Sequence, residues 1–413
     1  MNFNYIIYPF IFIGLYFEVF VLLVFLSAPA RDRRSRGRSQ RTPKVAMIVP
    51  AWNEAATIKA NVESLLELDY PADKLTVMVV NDGSTDGTKE ILDANFTNHP
   101  RVTVIHQENG GKHSALNTGI QMATDAELVG CLDADSFVEH DALKEIISCF
   151  DNPKVAAATV AMSVFEPKKP LEIMQNVEYV LGIALRHILS SVNGIYVTPG
   201  PFSLYRRDIV LKVGGFRFGH QTEDMEMALR LQKEGYWIEN APRARVYTKV
   251  PTTVRGLIKQ RTRWTSGFLR NVAFDYRGLV ANPRFGVLGL LVLPLGFLAI
   301  IGGIALFIIM IVVTAQNLIR SYAIHSGIPL SYILSQKLSF DIFYIPVSVL
   351  LLLGLVTGAG MIMFVYMGKK VSNTPGRLLP GIIAYILIFR FIAPFWLIRS
   401  LKDVTFGKKR PWR

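Results

Sequence analysis

Cysteine is nearly absent. Cys131 and Cys149 are the only two in 413 residues; both lie in apolar stretches, and no C-x-x-C spacing occurs. That excludes a disulfide framework and a cysteine-based zinc site, and leaves two buried thiols in a reducing compartment. Charge is scarce as well, at 19% against 51% hydrophobic residues, well under the share a soluble domain carries. Acidic surplus is missing: 45 Lys and Arg face 32 Asp and Glu, a net charge of +13. The basic excess does not indicate nucleic acid, because much of it is clustered beside apolar segments: Arg31, Arg33, Arg34, Arg36, Arg38, Arg41 and Lys44, then Lys369, Lys370 and Arg377, then Lys402, Lys408, Lys409, Arg410 and Arg413. Juxtamembrane positives of this kind belong on the cytoplasmic side of a bilayer.

Long apolar runs are what is present. Tyr5 to Leu26 is long enough to cross a membrane, with Glu18 as its only charge. It lacks the basic leader of a signal peptide, although Ser27-Ala28-Pro29-Ala30 resembles a cleavage site. No Lys or Arg precedes Arg31, so the expected arrangement is an anchor with its N-terminus outside and the following domain cytoplasmic. Phe285 to Val313, Ile342 to Met367 and Leu378 to Ile398 are each long enough to span. The expected organisation is an anchor over 1–30, a basic linker over 31–43, a cytoplasmic domain over 44–276 and a membrane region over 277–413. The crossings do not close: four return the C-terminus to the outside, yet Lys408 to Arg413 is basic enough for the inside. Either one segment is interfacial or re-entrant, with the Arg390 segment and the stretch around Pro294 as the choices, or Ser321 to Phe340 adds a crossing.

Between Lys44 and Tyr276 short β-rich runs alternate with helix-length segments, the pattern of an α/β domain with a mainly parallel sheet. Val45–Val49, Leu75–Val80, Val102–His106 and Glu127–Leu132 read as four strands, and each runs into a polar turn. Strand ends of an open α/β sheet present ligands along one crevice, and here Glu54, Asp82, Lys112, Asp133 and Asp135 share that lip. Farther on, Leu143 to Phe150 marks a helix, Val155 to Met162 a strand and Leu171 to Leu189 a longer helix. Thr222 is placed to cap a helix whose first turn holds Glu223 and Asp224. Thr253 to Leu269 is basic and amphipathic.

Leu132-Asp133-Ala134-Asp135 carries the chemistry. Hard oxygen ligands in this number suit Mg²⁺ or Mn²⁺, held between one or two carboxylates and the phosphates of a substrate. A diphosphate-bearing substrate is the corresponding expectation. Singly, each position also suits a structural job: an acidic turn at Asp133, a turn residue at Asp82, a solvated helix start at Lys112, a dipole partner at Asp224, an interfacial anchor at Trp264.

Order and spacing add to this. The succession Val49-Pro50-Ala51-Trp52-Asn53-Glu54, Val80-Asn81-Asp82-Gly83-Ser84, Asn109-Gly110-Gly111-Lys112, Asp133-Ala134-Asp135, Thr222-Glu223-Asp224 and Gln260-Arg261-Thr262-Arg263-Trp264 resembles the family-2 inverting glycosyltransferases. It is most similar to the processive membrane synthases of β-linked polysaccharides, the cellulose, chitin, hyaluronan and poly-N-acetylglucosamine synthases. The resemblance covers roughly residues 44 to 270 and implies a GT-A type nucleotide-sugar domain joined to helical membrane segments. By resemblance Asp82 would hold the uracil or ribose of a UDP-sugar, with the Pro50 to Glu54 turn beneath the base and Lys112 neutralising charge nearby. Asp133 and Asp135 would hold the nucleotide side and the metal. Asp224 would be the base that takes the acceptor proton, with Glu223 beside it. Arg263, with Gln260, would steady the departing diphosphate, Trp264 would stack an acceptor sugar, and Gly200-Pro201-Phe202-Ser203 would floor the acceptor site.

The layout of one anchor, a compact domain and a short run of spans makes poly-β-1,6-N-acetylglucosamine the first expectation for the product, with UDP-N-acetylglucosamine as donor. Transfer of one sugar to a lipid acceptor is the alternative, and a catalytically silent membrane module a third reading. The implied partners are a glycan or lipid acceptor, membrane lipids and a small export partner, with no nucleic acid. The implied location is the plasma membrane, multi-pass, with the domain facing the cytoplasm where UDP-sugars are made.

Overall fold

The computed structural model describes residues 4–27, 41–329, 332 and 348–407. Most of the basic linker, residues 330, 331 and 333–340 of the stretch on which an additional crossing would depend, and the basic tail from Lys408 lie outside the described residues, while 321–325 of that stretch end the helix that begins at Leu293.

Helix α1 (Asn4–Ser27) precedes the domain. The first half of the domain follows the alternation in the sequence: β1 (Val45–Ala51), α2 (Ile58–Leu66), β2 (Leu75–Asp82), α3 (Thr88–Phe96), β3 (Val102–Gln107), α4 (Lys112–Met122) and β4 (Leu128–Cys131). These four strands pair in parallel, in the order β3-β2-β1-β4, through right-sized helical crossovers. Both faces of the strands are covered, which is why they read as unbroken apolar runs. In β1, Met47 and Val49 enter one core cluster and Ala46 and Ile48 the other, one on each side of the sheet.

The second half joins the same sheet, which becomes mixed. It adds β5 (Ser136–Val138), α5 (Ala142–Ile147), β6 (Val155–Val164), α6 (Pro170–Ser190), β7 (Ser203–Arg206), α7 (Arg207–Lys212), α8 (Glu223–Lys233), β8 (Trp237–Thr248) and α9 (Val254–Arg270). The full strand order is β3-β2-β1-β4-β7-β6-β8-β5, with β7 antiparallel to both β4 and β6 and β5 antiparallel to β8. The sequence reading lacks β5, β7 and β8. The longest of these, β8, hides behind Glu239, Asn240, Arg243 and Arg245, although it lies between β6 and β5 in the sheet. Its polar residues find partners there: Asn240 Nδ2 donates to Thr159 Oγ1 at 3.0 Å, and Arg245 reaches Glu139 at 2.6 Å.

Beyond the sheet come α10 (Leu293–His325), α11 (Val349–Ser372), α12 (Leu379–Ala384) and α13 (Arg390–Thr405), the last two joined through a π-type turn over Tyr385–Phe389. Among the described residues four helical segments are apolar and long enough to cross a membrane: Tyr5–Ser27, Leu288–His325, Val349–Ser372 and Leu379–Thr405. Helices α6 and α9 of the sheet domain meet them. Helix α6 buries Val177 and Val180 against Val365, Leu378 and Ile382. The approach is so close that a methyl group on Gly368 would strike the carbonyl of Val180. Helix α9 is capped by Thr253, whose Oγ1 accepts from the Gly256 N–H at 3.2 Å, and it lies against α13. There Ser400 Oγ donates to the Thr262 carbonyl at 3.2 Å and Arg270 to that of Asp403 at 2.8 Å.

Candidate active site

The carboxyl ends of β1, β2 and β4 open into one cavity of about 1100 Å³. Its wall includes Glu54, Asp82, Lys112, Asp133, Asp135, Gly200, Glu223, Asp224, Gln260, Arg263 and Trp264. The catalytic, metal and binding residues expected from the sequence are therefore gathered in one place, apart from Ser203, which is buried at the start of β7, and Phe202. That side chain is fully buried in the core, on a left-handed backbone with φ 57°, while its neighbours Pro199, Gly200 and Pro201 line the cavity. Phe202 leads into β7, and its ring fills the interior rather than the floor of an acceptor site.

Asp82 is held firmly. Its carboxylate accepts from the Gly110 N–H at 2.9 Å, the Gly111 N–H at 2.8 Å and Gln107 Nε2 at 2.7 Å, and Asn109 Nδ2 donates to its carbonyl at 2.9 Å. Both of its oxygens thus organise the turn that delivers Lys112. Gly111 enters α4 with φ 85°, a conformation that favours glycine. The turns after β1 and β2 are stitched together as well: Asn53 Oδ1 accepts from the Thr85 N–H at 2.8 Å, and Ser84 Oγ accepts from the Asn53 N–H at 3.0 Å.

Lys112 bridges two motifs that are distant in sequence. Its Nζ lies 2.5 Å from Asp133 Oδ1 and 3.0 Å from Glu223 Oε1. Burial works against the ammonium charge, but Asp133, Glu223 and Asp224 outweigh it and hold the lysine well above its ordinary pKa. Gly200 allows this meeting: a Cβ there would sit 2.6 Å from Lys112 Nζ and 2.8 Å from both Asp133 carboxylate oxygens. Asn61 shapes the turn between the two aspartates, its Nδ2 donating to the carbonyls of Asp133 at 2.9 Å and Ser136 at 2.6 Å.

The acids differ in electrostatics. Burial, then the charges of Asp133 and Glu54, push Asp135 up to about 6. Crowded carboxylates of this kind are what a hard divalent cation relieves. Among the described residues no group of three or more His, Cys, Asp or Glu side chains converges to hold a metal, so a cation here would need oxygens from a substrate. Burial, then the charge of Glu223, likewise pushes Asp224 up to about 6. Burial alone would raise Glu223 too, but Lys112, the helix backbone and Arg263 hold it below the usual carboxylate range.

Thr222 stands at the N-cap position of α8 without capping it. Its hydroxyl instead donates to the Gly219 carbonyl at 2.7 Å and accepts from Asn271 Nδ2 at 3.0 Å. Just before it, His220 and Gln221 are both left-handed, with φ 55° and 69°. Arg263 Nη1 donates to the Gln221 carbonyl at 2.9 Å, so α9 grips the segment that carries Asp224. Arg261 lies inside the Gln260 to Trp264 motif, where the sequence gives it no role of its own. It is buried, pairs with Glu178 at 2.9 Å, donates to Gln260 Oε1 at 2.9 Å and stacks its guanidinium 4.1 Å from the centre of the Trp264 ring. Its sequence signal was its place between Gln260 and Trp264, and its partners became visible only in three dimensions.

This arrangement joins carboxylates suited to a cation, a cation-rich edge and a buried acid to an aromatic passage. The family description "Glycosyltransferase like family 2" matches residues 43–267. The chain belongs to glycosyltransferase family 2. It is a nucleotide-sugar-dependent glycosyltransferase with helices fit for a membrane. A poly-beta-1,6-N-acetyl-D-glucosamine synthase of Staphylococcus epidermidis is 28% identical over 347 residues, covering 83% of this chain and 80% of that one. The synthase of the same name from Staphylococcus aureus strain COL is 29% identical over 288 residues, 68% of this chain and 69% of that one. Among solved structures, the mannosyltransferase PcManGT from Pyrobaculum calidifontis, in complex with GDP-Man and Mn²⁺, aligns with a TM-score of 0.61 at 20% identity. It covers 97% of this chain and 96% of its own, a likeness of fold that takes in the helices outside the sheet.

Proposed function

We propose that this family-2 glycosyltransferase polymerises N-acetylglucosamine from UDP-N-acetylglucosamine into a β-1,6-linked chain at the cytoplasmic face of the plasma membrane, crossing it several times. The observation that carries the reading is the single cavity in which Asp133, Asp135, Lys112, Asp224, Arg263 and Trp264 meet residues of the membrane-length helices, among them Gly296, Ala299 and Trp396. The relatives named as synthases of this polymer support the choice of sugar.

In this reading Asp135 and Asp133 would hold Mg²⁺ or Mn²⁺. When bound, the cation supplies Lewis-acid stabilisation of charge on the leaving group. Asp224 accepts the proton of the acceptor hydroxyl as that oxygen bonds to the anomeric carbon and the bond from that carbon to the diphosphate breaks, with inversion. Its raised pKa makes it a stronger base than an ordinary aspartate. Lys112 ties the donor carboxylates to the motif carrying the base, and Arg263 and Gln260 face the departing UDP. Asp82 keeps the Lys112 turn in shape beside the nucleotide, Glu54 adds negative charge near Asp135, and Trp264 receives the acceptor ring.

The test offers membranes containing the protein a panel of radiolabelled UDP-sugars with Mg²⁺ or Mn²⁺. High-polymer product from UDP-N-acetylglucosamine alone, lost with chelator and in Asp224→Asn, is expected. A single glycolipid product would replace polymerisation with transfer to a lipid, and equal incorporation by Asp224→Asn would remove the base assignment.

A further inference from the structure

One charge in the cavity has no place in the chemistry above. Arg186 lies on α6, on the face formed by Tyr179, Gly182, Leu185 and Arg186, which recur at helical spacing along the wall. Its Nε and Nη2 are buried and have no hydrogen-bond partner among the described residues. Gly182 leaves the room it occupies, since a Cβ there would lie 3.2 Å from Arg186 Nη1. Burial brings the guanidinium down to about 10, opposed only by the phenols of Tyr196 and then Tyr179; no carboxylate contributes. By contrast Lys112 is neutralised by Asp133 and Glu223, and Arg261 by Glu178.

Arg186 is partly exposed to the cavity, and its two buried, unpartnered nitrogens favour an arriving acceptor that can satisfy them. The walls on its side of the cavity indicate what arrives. Val292, Gly296, Ala299 and Ile300 come from the span Leu288–His325, which contains α10, and Phe389 and Trp396 from the last span. They present an apolar, aromatic lining that a hydrocarbon tail can use and a free ion cannot. Guanidinium matches phosphate in geometry and charge better than it matches neutral sugar hydroxyls.

We propose that Arg186, flanked by Tyr179 and Tyr196, forms a subsite for the phosphate group of a lipid acceptor whose tail lies along the membrane spans. The proposal rests on the reading of this cavity as the acceptor route. It supplies the acceptor on which a chain is begun.

The experiment uses the full-length protein in phosphatidylcholine nanodiscs, without donor sugar, and follows the fluorescence of wall tryptophans during titration with farnesyl phosphate. Parallel titrations use farnesol, inorganic phosphate, UDP and a β-1,6-linked N-acetylglucosamine oligosaccharide. Saturable binding of farnesyl phosphate is expected, with farnesol and inorganic phosphate at least about tenfold weaker, the scale of a lost charge-assisted contact. Arg186→Gln weakens farnesyl phosphate by at least about tenfold and Arg186→Lys by less, while UDP binds both variants as it binds the parent. Undiminished farnesyl phosphate binding by Arg186→Gln overturns the proposal. So does farnesol binding as tight as that of the phosphate, inorganic phosphate binding as tight as the lipid, or an equal dependence of the neutral oligosaccharide on Arg186. Should Arg186→Gln lose UDP binding through misfolding, Arg186→Lys decides: retention of farnesyl phosphate over farnesol supports the subsite, and loss of that preference overturns it. Because no turnover is read, a protein that binds the lipid phosphate yet builds no polymer refutes the polymer reading alone.

Discussion

The two ends of the cavity are built on opposite plans. At the strand ends charges are dense and mutually satisfied: Lys112 between Asp133 and Glu223, Asp82 inside a ring of N–H donors. At the membrane end the wall is aromatic and aliphatic, from Tyr196 and Phe268 to Phe389 and Trp396, with glycines where helices and rings close in. A nucleotide diphosphate brings much charge and needs preorganised partners, whereas a sliding or lipid-bound acceptor needs smooth walls and few fixed contacts. Helix α9 stands at the boundary between the plans, lining the cavity with both a cation, Arg263, and an aromatic, Trp264.

Substitutions that cross this boundary test the division. The largest effect is expected for Asp224→Asn: transfer falls by about 10²- to 10⁴-fold, the usual contribution of a general base, with UDP affinity retained in an equilibrium binding assay. Equal loss of UDP binding would move Asp224 from the reacting centre to the donor pocket. Next is Gly200→Val, which drives a side chain into Lys112 and Asp133 and costs about 1–3 kcal/mol of overpacking. Weakened UDP binding and a lower unfolding temperature are the expected readouts, with no change in the binding of neutral acceptor. Trp264→Ala follows: acceptor-dependent elongation drops about tenfold, as for a lost stacking contact, while hydrolysis of the donor in water persists. The reverse split would place Trp264 with the donor.

The smallest effect is a shift in pH dependence. Asp224 sits at about 6 and acts as a base only when deprotonated, so the rate should be level above that pH and fall below it. Glu223→Gln removes a charge that holds Asp224 up, and the acid limb should move to lower pH in initial-rate measurements. An unmoved limb would assign the titration to another group.

The donor end was far more legible in the sequence than the membrane end. Asp133 and Asp135 leave a strand directly, Lys112 opens a helix after a glycine turn, and Glu223 and Asp224 begin another, so local pattern suffices to place them. Asn61 was invisible because its amide reaches Asp133 and Ser136, more than seventy residues away. Arg261 and Arg186 carry no local sign of what they do, and tertiary packing makes one a brace and leaves two nitrogens of the other without a partner among the described residues. Phe202 misled because an aromatic in a glycine-proline turn suggests a sugar platform, and only the fold turns it inward. Strand β8 was lost because Glu239, Asn240, Arg243 and Arg245 break the apolar pattern, though most of its residues are covered.

Trp264 carries a guanidinium against one side of its indole. A flat ring with one side occupied leaves only its other face for stacking. The brace continues from Arg261 to Glu178 on the helix clamped against Gly368. The setting of the indole is thus tied, through one stacked cation, to the packing of α6 on a membrane-length helix.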